Sequence, residues 1–366
     1  MQDSIEKVVI VGVRTQKTSK CNFDESMNEL ERLAETAGGR VIDRVEQTLN
    51  NPNSATFVGS GKLEFVKKVL EENEAFTVIF DDDLKPNQAR NIGKVLGKDI
   101  KVIDRSGLIL DIFATRARTN AAKIQVELAQ LEYLLPRLAG MWGHLSRQYG
   151  GSIGARGPGE TQLEIDRRVV RRRIATLKLK LEKIEKQRRT QRKGRSNSLR
   201  VAILGYTNAG KSTLLNKMTH ANAYAEDKLF ATLDPRTKIL RTPECKTALL
   251  TDTVGFIRKL PHHLVESFRS TLAEAKEADI LIIVADALHE ALDDHLIVVE
   301  KELERMQLVD TPKILTINKI DLIDELRYSQ LSCKYPEAVF ISAQDGKGLN
   351  KLIEKIFTQD LHRVVR

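Results

Sequence analysis

The segment Gly205-Tyr-Thr-Asn-Ala-Gly-Lys-Ser212 gives the clearest indication of the fold class of this chain. It has the spacing of a phosphate-binding loop (P-loop), follows a predicted strand over Val201–Leu204 and opens a predicted helix. Glycines let backbone N–H groups surround phosphates at a helix N-terminus, where the helix dipole favours anions. Lys211 is then expected to reach the β- and γ-phosphates, and Ser212 to ligate Mg²⁺. The motif in this context predicts a nucleotide-binding α/β domain.

Two segments further along the chain fit the same nucleotide. Asp252-Thr-Val-Gly255 ends the next apolar strand. The Asp252 carboxylate could bind Mg²⁺ through a water molecule, and the Gly255 N–H could contact the γ-phosphate. Between the two motifs lies Phe230-Ala-Thr-Leu-Asp-Pro235, whose Thr232 is expected to complete the Mg²⁺ shell when a γ-phosphate is present. The predicted catalytic residues are Lys211, Thr232 and Gly255, and the predicted metal ligands are Ser212, Thr232 and Asp252.

The segment Asn318-Lys-Ile-Asp321 predicts which base is bound. A carboxylate at Asp321 can accept from both N1–H and the 2-amino group of guanine, and adenine offers neither donor, so ATP would leave the carboxylate unpaired. Ser342-Ala343 is expected to support the base from the other side. The motifs together favour GTP. The predicted nucleotide contacts are Gly205, Tyr206, Thr207, Asn208, Ala209, Gly210, Lys211, Ser212, Thr213, Phe230, Ala231, Thr232, Leu233, Asp234, Asp252, Thr253, Val254, Gly255, Asn318, Lys319, Asp321, Ser342 and Ala343.

Long apolar runs alternate with helical stretches around these motifs. Continuous apolar strands suit a parallel sheet that helices cover on both faces. We therefore predict a P-loop domain with a mostly parallel sheet over residues 199–358, followed by a short tail over 359–366. The predicted strands are Val201–Leu204, Ala248–Thr251, Ile280–Ala285, Ile314–Ile317 and Val339–Ile341.

Residues 1–118 predict a separate small α/β subdomain. Gly59-Ser-Gly-Lys62 lacks the first P-loop glycine and is followed by Leu63, so it predicts a helix start rather than a second phosphate site. Asp24 and Asn87 are the expected N-caps of two helices. The predicted strands are Val8–Val13, Arg40–Thr48, Phe76–Phe80 and Ile100–Ile103, and the predicted helices cover residues 24–37, 61–73 and 87–97.

Residues 119–195 carry two apolar heptad seams, which predict an antiparallel two-helix coiled-coil hairpin. The segment from Tyr149 to Gly159 is rich in glycine and would form its tip, and Pro136 is expected to kink the first helix. The seams are Ile124, Leu128, Leu131, Leu135, Leu138, Trp142 and Leu145, then Val170, Ile174, Leu177, Leu181 and Ile184.

The net positive charge of the 366-residue chain comes from one segment of this hairpin. The net charge is +9, whereas the segment from Thr161 to Arg195 alone carries +10 and the remaining residues sum to −1. Such a run is either a solvated helix surface or the footprint of a bound polyanion. The hypothetical RNA contacts are Gly154, Arg156, Gly157, Arg167, Arg168, Arg171, Arg172 and Arg173.

Several classes of protein are poor fits to the sequence. The longest apolar run, Ile280 to Ala285, is far shorter than the roughly 20 residues of a membrane span, so stable membrane insertion is not expected. The acidic N-terminus does not suit a signal peptide. Cys21, Cys245 and Cys333 lie too far apart in sequence for zinc-ligand spacing. A cytoplasmic protein is expected, with peripheral membrane association left open.

The sequence resembles the HflX family of translational GTPases over nearly its whole length. The specific residues are Gly157-Pro-Gly-Glu-Thr-Gln-Leu-Glu164, the P-loop, Phe230-Ala-Thr-Leu-Asp-Pro235 and Asp252-Thr-Val-Gly-Phe-Ile-Arg258. The resemblance implies GTP hydrolysis with Mg²⁺ and binding to the large ribosomal subunit, in order to rescue or split stalled ribosomes or to aid ribosome biogenesis. The hairpin tip would then reach ribosomal RNA. DNA binding is not expected. The protein is expected to be a monomer.

Two departures and two alternatives accompany the resemblance. Phe256 stands where small GTPases carry a glutamine that orients the attacking water. Many family members carry a further small C-terminal domain after the GTPase domain, whereas this sequence ends at Arg366, so contacts attributed to that domain are not carried over to it. The alternatives are an ATP- or GTP-dependent RNA remodeller and a GTP-controlled protein-interaction module that acts through the heptads.

Overall fold

A computed structural model describes most of the chain. The described residues are 5–138, 162–193, 198–219, 229–230, 236–242, 245–259 and 274–364. They form two compact units, one built mainly from residues 1–115 and 123–182, the other mainly from 183–260 and 265–366. The four-part division at residues 118, 195 and 358 stays a prediction.

The first unit contains a small parallel sheet, as the alternation of strands and helices predicted. Its four strands lie in the order β2-β1-β3-β4, and buried apolar residues of β1 and β3 pack against the second and third helices. The strands are β1 (Glu6–Arg14), β2 (Gly39–Thr48), β3 (Thr77–Phe80) and β4 (Lys101–Asp104). The helices are α1 (Lys20–Thr36), α2 (Ser60–Glu72), α3 (Pro86–Leu96) and α4 (Arg105–Arg116).

The helix starts of this unit differ in detail from the prediction. Helix α1 begins one turn earlier, because the Ser19 side chain accepts a hydrogen bond from Asn22 N and caps it. Helix α3 begins at Pro86, directly after its N-cap residue. Asp24 and Asn87 therefore lie inside their helices, and their prediction as N-caps was wrong. The helix start at Gly59 is confirmed, since that glycine is the N-cap residue of α2.

Helices α5 (Asn120–Leu134) and α6 (Gln162–Lys193) occupy the region of the predicted hairpin. Helix α5 ends at Leu134, and Pro136 lies in a turn over residues 135–137, so the regular helix ends where the sequence predicted a kink. Arg173 and Lys178 on α6 form ion pairs with Glu127 and Glu132 on α5, at 2.6 and 2.8 Å. The predicted tip of the hairpin and the rest of its predicted first helix fall in residues 139–161, outside the described residues. The antiparallel hairpin therefore stays a prediction.

The second unit is built on a six-stranded sheet in the order β10-β9-β8-β5-β7-β6. All pairs are parallel except β6 on β7, and helices pack on both faces of the sheet. The strands are β5 (Leu199–Gly205), β6 (Arg236–Arg241), β7 (Thr247–Asp252), β8 (Ile280–Asp286), β9 (Lys313–Asn318) and β10 (Val339–Phe340). The helices are α7 (Lys211–Thr219), α8 (Leu292–Arg305), α9 (Glu325–Lys334) and α10 (Leu349–Val364), with a 3₁₀ turn at Ile320–Leu322.

All five predicted strands of this unit are present, and the described residues contain one further strand, β6, that was not predicted. Strand β6 lies at the edge of the sheet, and Leu240 is its one buried residue, so it carries no apolar run. Among the described residues, no helix combines the length and the hydropathy that crossing a membrane requires.

Candidate nucleotide site

The P-loop follows the central strand β5 and leads into α7. Gly205 (φ 151°) and Gly210 (φ 90°) have backbone conformations that side chains rarely adopt. A Cβ at Gly205 would lie 2.2 Å from the Val284 carbonyl oxygen, and one at Gly210 would lie 2.2 Å from Asn318 Nδ2. Only glycine fits at these two positions, because the loop backbone lies so close to Val284 of β8 and to the Asn318 side chain.

Lys211 is buried at the first position of α7. Its ammonium group donates a hydrogen bond to the Tyr206 carbonyl at 2.6 Å, within the loop itself. Burial lowers the pKa of Lys211 to about 8, although the nearby Asp252 carboxylate acts in the opposite direction. The site thus holds a desolvated cation beside the backbone N–H groups of the loop, which is an arrangement suited to a phosphate.

Ser212 and Asp252 meet beside this lysine. The Ser212 hydroxyl donates to the Asp252 carboxylate at 2.6 Å, and Asp252 itself is fully buried at the end of β7. A hydroxyl and a carboxylate are hard oxygen donors of the kind that Mg²⁺ prefers. Ser212 and Asp252, two of the three predicted metal ligands, therefore lie in contact with each other.

The chain after Asp252 is fixed against the P-loop by backbone hydrogen bonds. Phe256 N donates to the Gly205 carbonyl at 3.0 Å, and Thr207 N donates to the Phe256 carbonyl at 2.8 Å. The Thr253 hydroxyl donates to the Ile203 carbonyl at 2.9 Å. These bonds hold Gly255 next to the loop, where its N–H can meet a terminal phosphate.

Asn318 connects three of the predicted motifs. Its Nδ2 donates to the Ala209 carbonyl of the P-loop, and its Oδ1 accepts from Ala343 N, both at 2.9 Å. Lys319 has a left-handed backbone (φ 67°) and an ion pair with Asp286 at 2.7 Å. Asp321 is exposed in the 3₁₀ turn that follows.

The loop after β10 completes the base side of the site. Ser342 is fully buried, and its hydroxyl oxygen accepts from Asp345 N at 3.0 Å. This bond closes a tight turn that keeps Ala343 N against the Asn318 side chain.

Tyr206 makes contacts that the sequence did not predict. The Tyr206 ring stacks on His295 of α8, with centroids 3.7 Å apart and planes within 6°. Its hydroxyl oxygen accepts from Arg258 N at 2.9 Å, and the Arg258 guanidinium lies 3.3 Å from an Asp294 carboxylate oxygen. No general motif marks these residues, although a tyrosine beside the first P-loop glycine was a visible signal.

Some of the predicted site residues lie outside the described residues: Ala231, Thr232, Leu233, Asp234, Gly154, Arg156 and Gly157. Phe230 is described and is buried. On α6, Arg167 is half-buried, whereas Arg168, Arg171, Arg172 and Arg173 are exposed. Arg173 holds Glu127 with two hydrogen bonds, at 2.6 and 3.0 Å, so its charge is already engaged within the protein.

Three family models match the chain along its length. A model described as "GTP-binding GTPase N-terminal" matches residues 24–114, and one described as "GTP-binding GTPase Middle Region" matches residues 116–195. A third, described as "50S ribosome-binding GTPase", matches residues 200–330 and thus covers the P-loop and the base motif.

Curated relatives match nearly the whole chain. The protein named GTPase HflX of Flavobacterium psychrophilum is 51% identical over 97% of this chain and 90% of its own length. This chain belongs to the HflX family of GTPases. GTPase HflX of Escherichia coli is 43% identical over 91% of this chain and 78% of its own length. A crystal structure of SsGBP in complex with GDP has 29% identity and a TM-score of 0.50, over 96% of this chain and 98% of that one.

Membership of the HflX family fixes the activity. The chain is a GTP-hydrolysing enzyme with a P-loop GTPase domain, and it binds GTP. The expected family, α/β fold class and GTPase activity are confirmed.

Proposed function

We propose that this HflX-family GTPase holds GTP and Mg²⁺ at the residues predicted from the sequence and acts on the large ribosomal subunit. The observation that carries the nucleotide part is the convergence of Lys211, Ser212, Asp252 and Gly255 on the P-loop. Lys211 would hold the β- and γ-phosphates, and Asp321 would pair with the donors of guanine.

The donor set of the site fits Mg²⁺. Ser212 would bind the ion directly and Asp252 through water, while Thr232 would join when a γ-phosphate is present. Among the described residues, no group of three or more His, Cys, Asp or Glu side chains could hold a metal alone. The nucleotide phosphates would supply the remaining oxygens, and the ion would neutralise charge that develops on them.

Two observations support the ribosomal part of the proposal. The family model that matches residues 200–330 carries the description "50S ribosome-binding GTPase". Exposed arginines follow one another on α6, beside the predicted glycine-rich tip. We propose that the arginines attract ribosomal RNA and that the tip places the protein, in ribosome rescue, splitting or biogenesis.

Sucrose-gradient co-sedimentation with purified ribosomal subunits tests this function. The full chain, loaded with a non-hydrolysable GTP analogue, should migrate with the large subunit and leave it when loaded with GDP. Migration with neither subunit in either state would contradict the ribosomal part. An RNA remodeller would instead unwind a free duplex, and an interaction module would bind a helical protein partner without ribosomes.

The remaining expectations belong to the same proposal. The chain would consist of an N-terminal subdomain over residues 1–118, a hairpin over 119–195, a GTPase domain over 199–358 and a tail over 359–366. It would work as a monomer in the cytoplasm, where ribosomes are found.

A further inference from the structure

Phe256 cannot present a polar group to the attacking water. It is 3% exposed and lies in an apolar cluster with Leu204, Leu281 and Val299 on one face of the sheet. A glutamine at this position orients water in small GTPases, so another group must take that role here.

The side chain of Thr207 lies next to this position. Thr207 is the third residue of the P-loop, and its backbone N–H donates to the Phe256 carbonyl. The residue is only 7% exposed, and among the described residues its buried hydroxyl has no hydrogen-bond partner. Buried hydroxyls without a partner are rare, because burial removes their hydrogen bonds to water and no protein group replaces them. Such a hydroxyl therefore calls for an explanation.

The surroundings of Gly255 show where the Thr207 side chain lies relative to the reacting phosphate. A Cβ built on Gly255 would lie 2.8 Å from Lys211 Nζ, 2.8 Å from Thr207 Cα and 2.9 Å from Thr207 Cγ2. The lysine ammonium, the Gly255 backbone and the methyl group of Thr207 thus converge on one small space, and a change of the Thr207 rotamer would bring its hydroxyl into the same space. Since the first two bind the terminal phosphate in P-loop GTPases, Thr207 lies beside it as well.

We propose that the Thr207 hydroxyl orients the attacking water during GTP hydrolysis, a role that rests on the proposed nucleotide site. A hydroxyl has one donor and two acceptor positions, so it can donate to a γ-phosphoryl oxygen while it accepts from the water. The water oxygen forms a bond to the γ-phosphorus as the bond from that phosphorus to the bridging oxygen breaks. The electron pair of that bond stays on GDP, and a water proton passes to a γ-phosphoryl oxygen of the inorganic phosphate.

Threonine variants of the full chain test this role. Thr207→Val keeps the shape and removes the hydroxyl, and Thr207→Ser keeps the hydroxyl. Single-turnover GTP hydrolysis by Thr207→Val at saturating GTP should slow about tenfold or more, the loss expected for a group that handles the water, and this loss in rate should exceed any loss in GTP affinity. Thr207→Ser should hydrolyse GTP within about threefold of the parent rate, because its hydroxyl can adopt the same rotamer.

A second buried threonine provides the matched control. Thr316 on β9 is fully buried, and its hydroxyl also has no partner among the described residues. Thr316→Val should leave the hydrolysis rate unchanged, which separates the loss of any buried hydroxyl from the loss of this one.

Three outcomes are distinguishable. Parent-like hydrolysis by Thr207→Val overturns the proposal, and so does an equal loss in Thr207→Ser and Thr207→Val, which would indicate packing alone. If Thr207→Val folds poorly, the comparison of Thr207→Ala with Thr207→Ser decides in the same way. Failure of the parent to bind GTP would overturn the nucleotide site itself instead.

Discussion

Lys211 combines burial with a charge that its ligand needs. Its pKa in the folded protein is about 8, against 10.5 for an exposed lysine. Between these two values the unfolded chain binds more protons than the folded one, so the free energy of unfolding rises with pH. Below pH 8 the folded protein keeps a desolvated cation, which is a destabilising feature that a bound phosphate would compensate.

The affinity for GTP should therefore fall as Lys211 loses its proton. Raising the pH from about 7 to about 8.5 should weaken GTP binding about fourfold, because only the protonated fraction is competent to bind. Equilibrium titration with a fluorescent GTP analogue measures this. Lys211→Met should bind weakly at every pH and show no such slope. A parent affinity that stays constant over this range would show that Lys211 remains charged.

Asp321 gives a second prediction for a single residue. Asp321→Asn should weaken guanine-nucleotide binding and favour xanthine nucleotides, because an amide can donate to the 2-oxo group of xanthine. A charge-assisted hydrogen bond is worth about 1.5–3 kcal/mol, so the loss of GTP affinity should be at least about tenfold. Competition between GTP and XTP measures the change. Equal affinity of the parent for ATP and GTP would contradict the base assignment.

At the scale of elements, Tyr206 joins the P-loop to the segment that carries Gly255. Its hydroxyl holds Arg258 N, its ring stacks on α8, and Arg258 contacts Asp294 on that same helix. The loop, the segment after β7 and the start of α8 are thus connected through one side chain. This connection keeps Gly255 within reach of a γ-phosphate.

Tyr206→Phe should therefore weaken GTP binding more than GDP binding. Loss of one hydrogen bond of about 1 kcal/mol corresponds to about a fivefold drop in the affinity for a GTP analogue, while GDP, which does not contact Gly255, should change less than about twofold. Isothermal titration measures both. Tyr328→Phe, at an exposed tyrosine on α9, should change neither. An equal loss for both nucleotides in Tyr206→Phe would mean that the tyrosine supports the loop only.

The sequence was most informative where a pattern and a physical requirement coincide. Apolar runs predicted β5, β7, β8, β9 and β10 because most residues of these strands are buried. The edge strand β6 has one exposed face and carries no such run. The N-cap at Ser19 could have been predicted, since serine is among the residues most favoured at N-caps. Aspartate is favoured there as well, so residue preference alone does not choose between Ser19 and Asp24.

The site shows the same division. Glycine spacing predicted the P-loop because only glycine fits where a Cβ would contact Val284 or Asn318. The contacts among Tyr206, His295 and Arg258 join residues far apart in sequence. Spacing along a single chain carries no information about such contacts, so they could not be predicted.

On the scale of the whole molecule, the positive charge is concentrated on α6. Arg171 and Arg172 are exposed there, whereas Arg173 already pairs with Glu127. Exposed cations attract a polyanion with an affinity that depends on salt, because binding releases counterions. This makes Arg171 and Arg172 better candidates for RNA contact than Arg173.

Replacing Arg171 and Arg172 with glutamine should weaken large-subunit binding at every salt concentration. The slope of log affinity against log salt should flatten by about 1.5, because each phosphate that an arginine neutralises adds roughly 0.7 to 0.9 to its steepness. Co-sedimentation across a salt series measures this. Lys94→Gln with Lys98→Gln removes the same charge from exposed positions near the end of α3 and should leave the slope unchanged. An unchanged slope in the arginine variant would mean that Arg171 and Arg172 are part of a solvated surface and do not contact RNA.

The side chain of Asn318 has a consequence for how the nucleotide is held. One amide contacts both the Ala209 carbonyl of the P-loop and the Ala343 N–H of the loop after β10. A ligand fragment that orders one of these loops also restricts the other, so guanosine and pyrophosphate cannot bind as independent halves. Their combined binding free energy should exceed the sum of the two measured alone. Shortened nucleotides would then lose more affinity than their missing contacts account for.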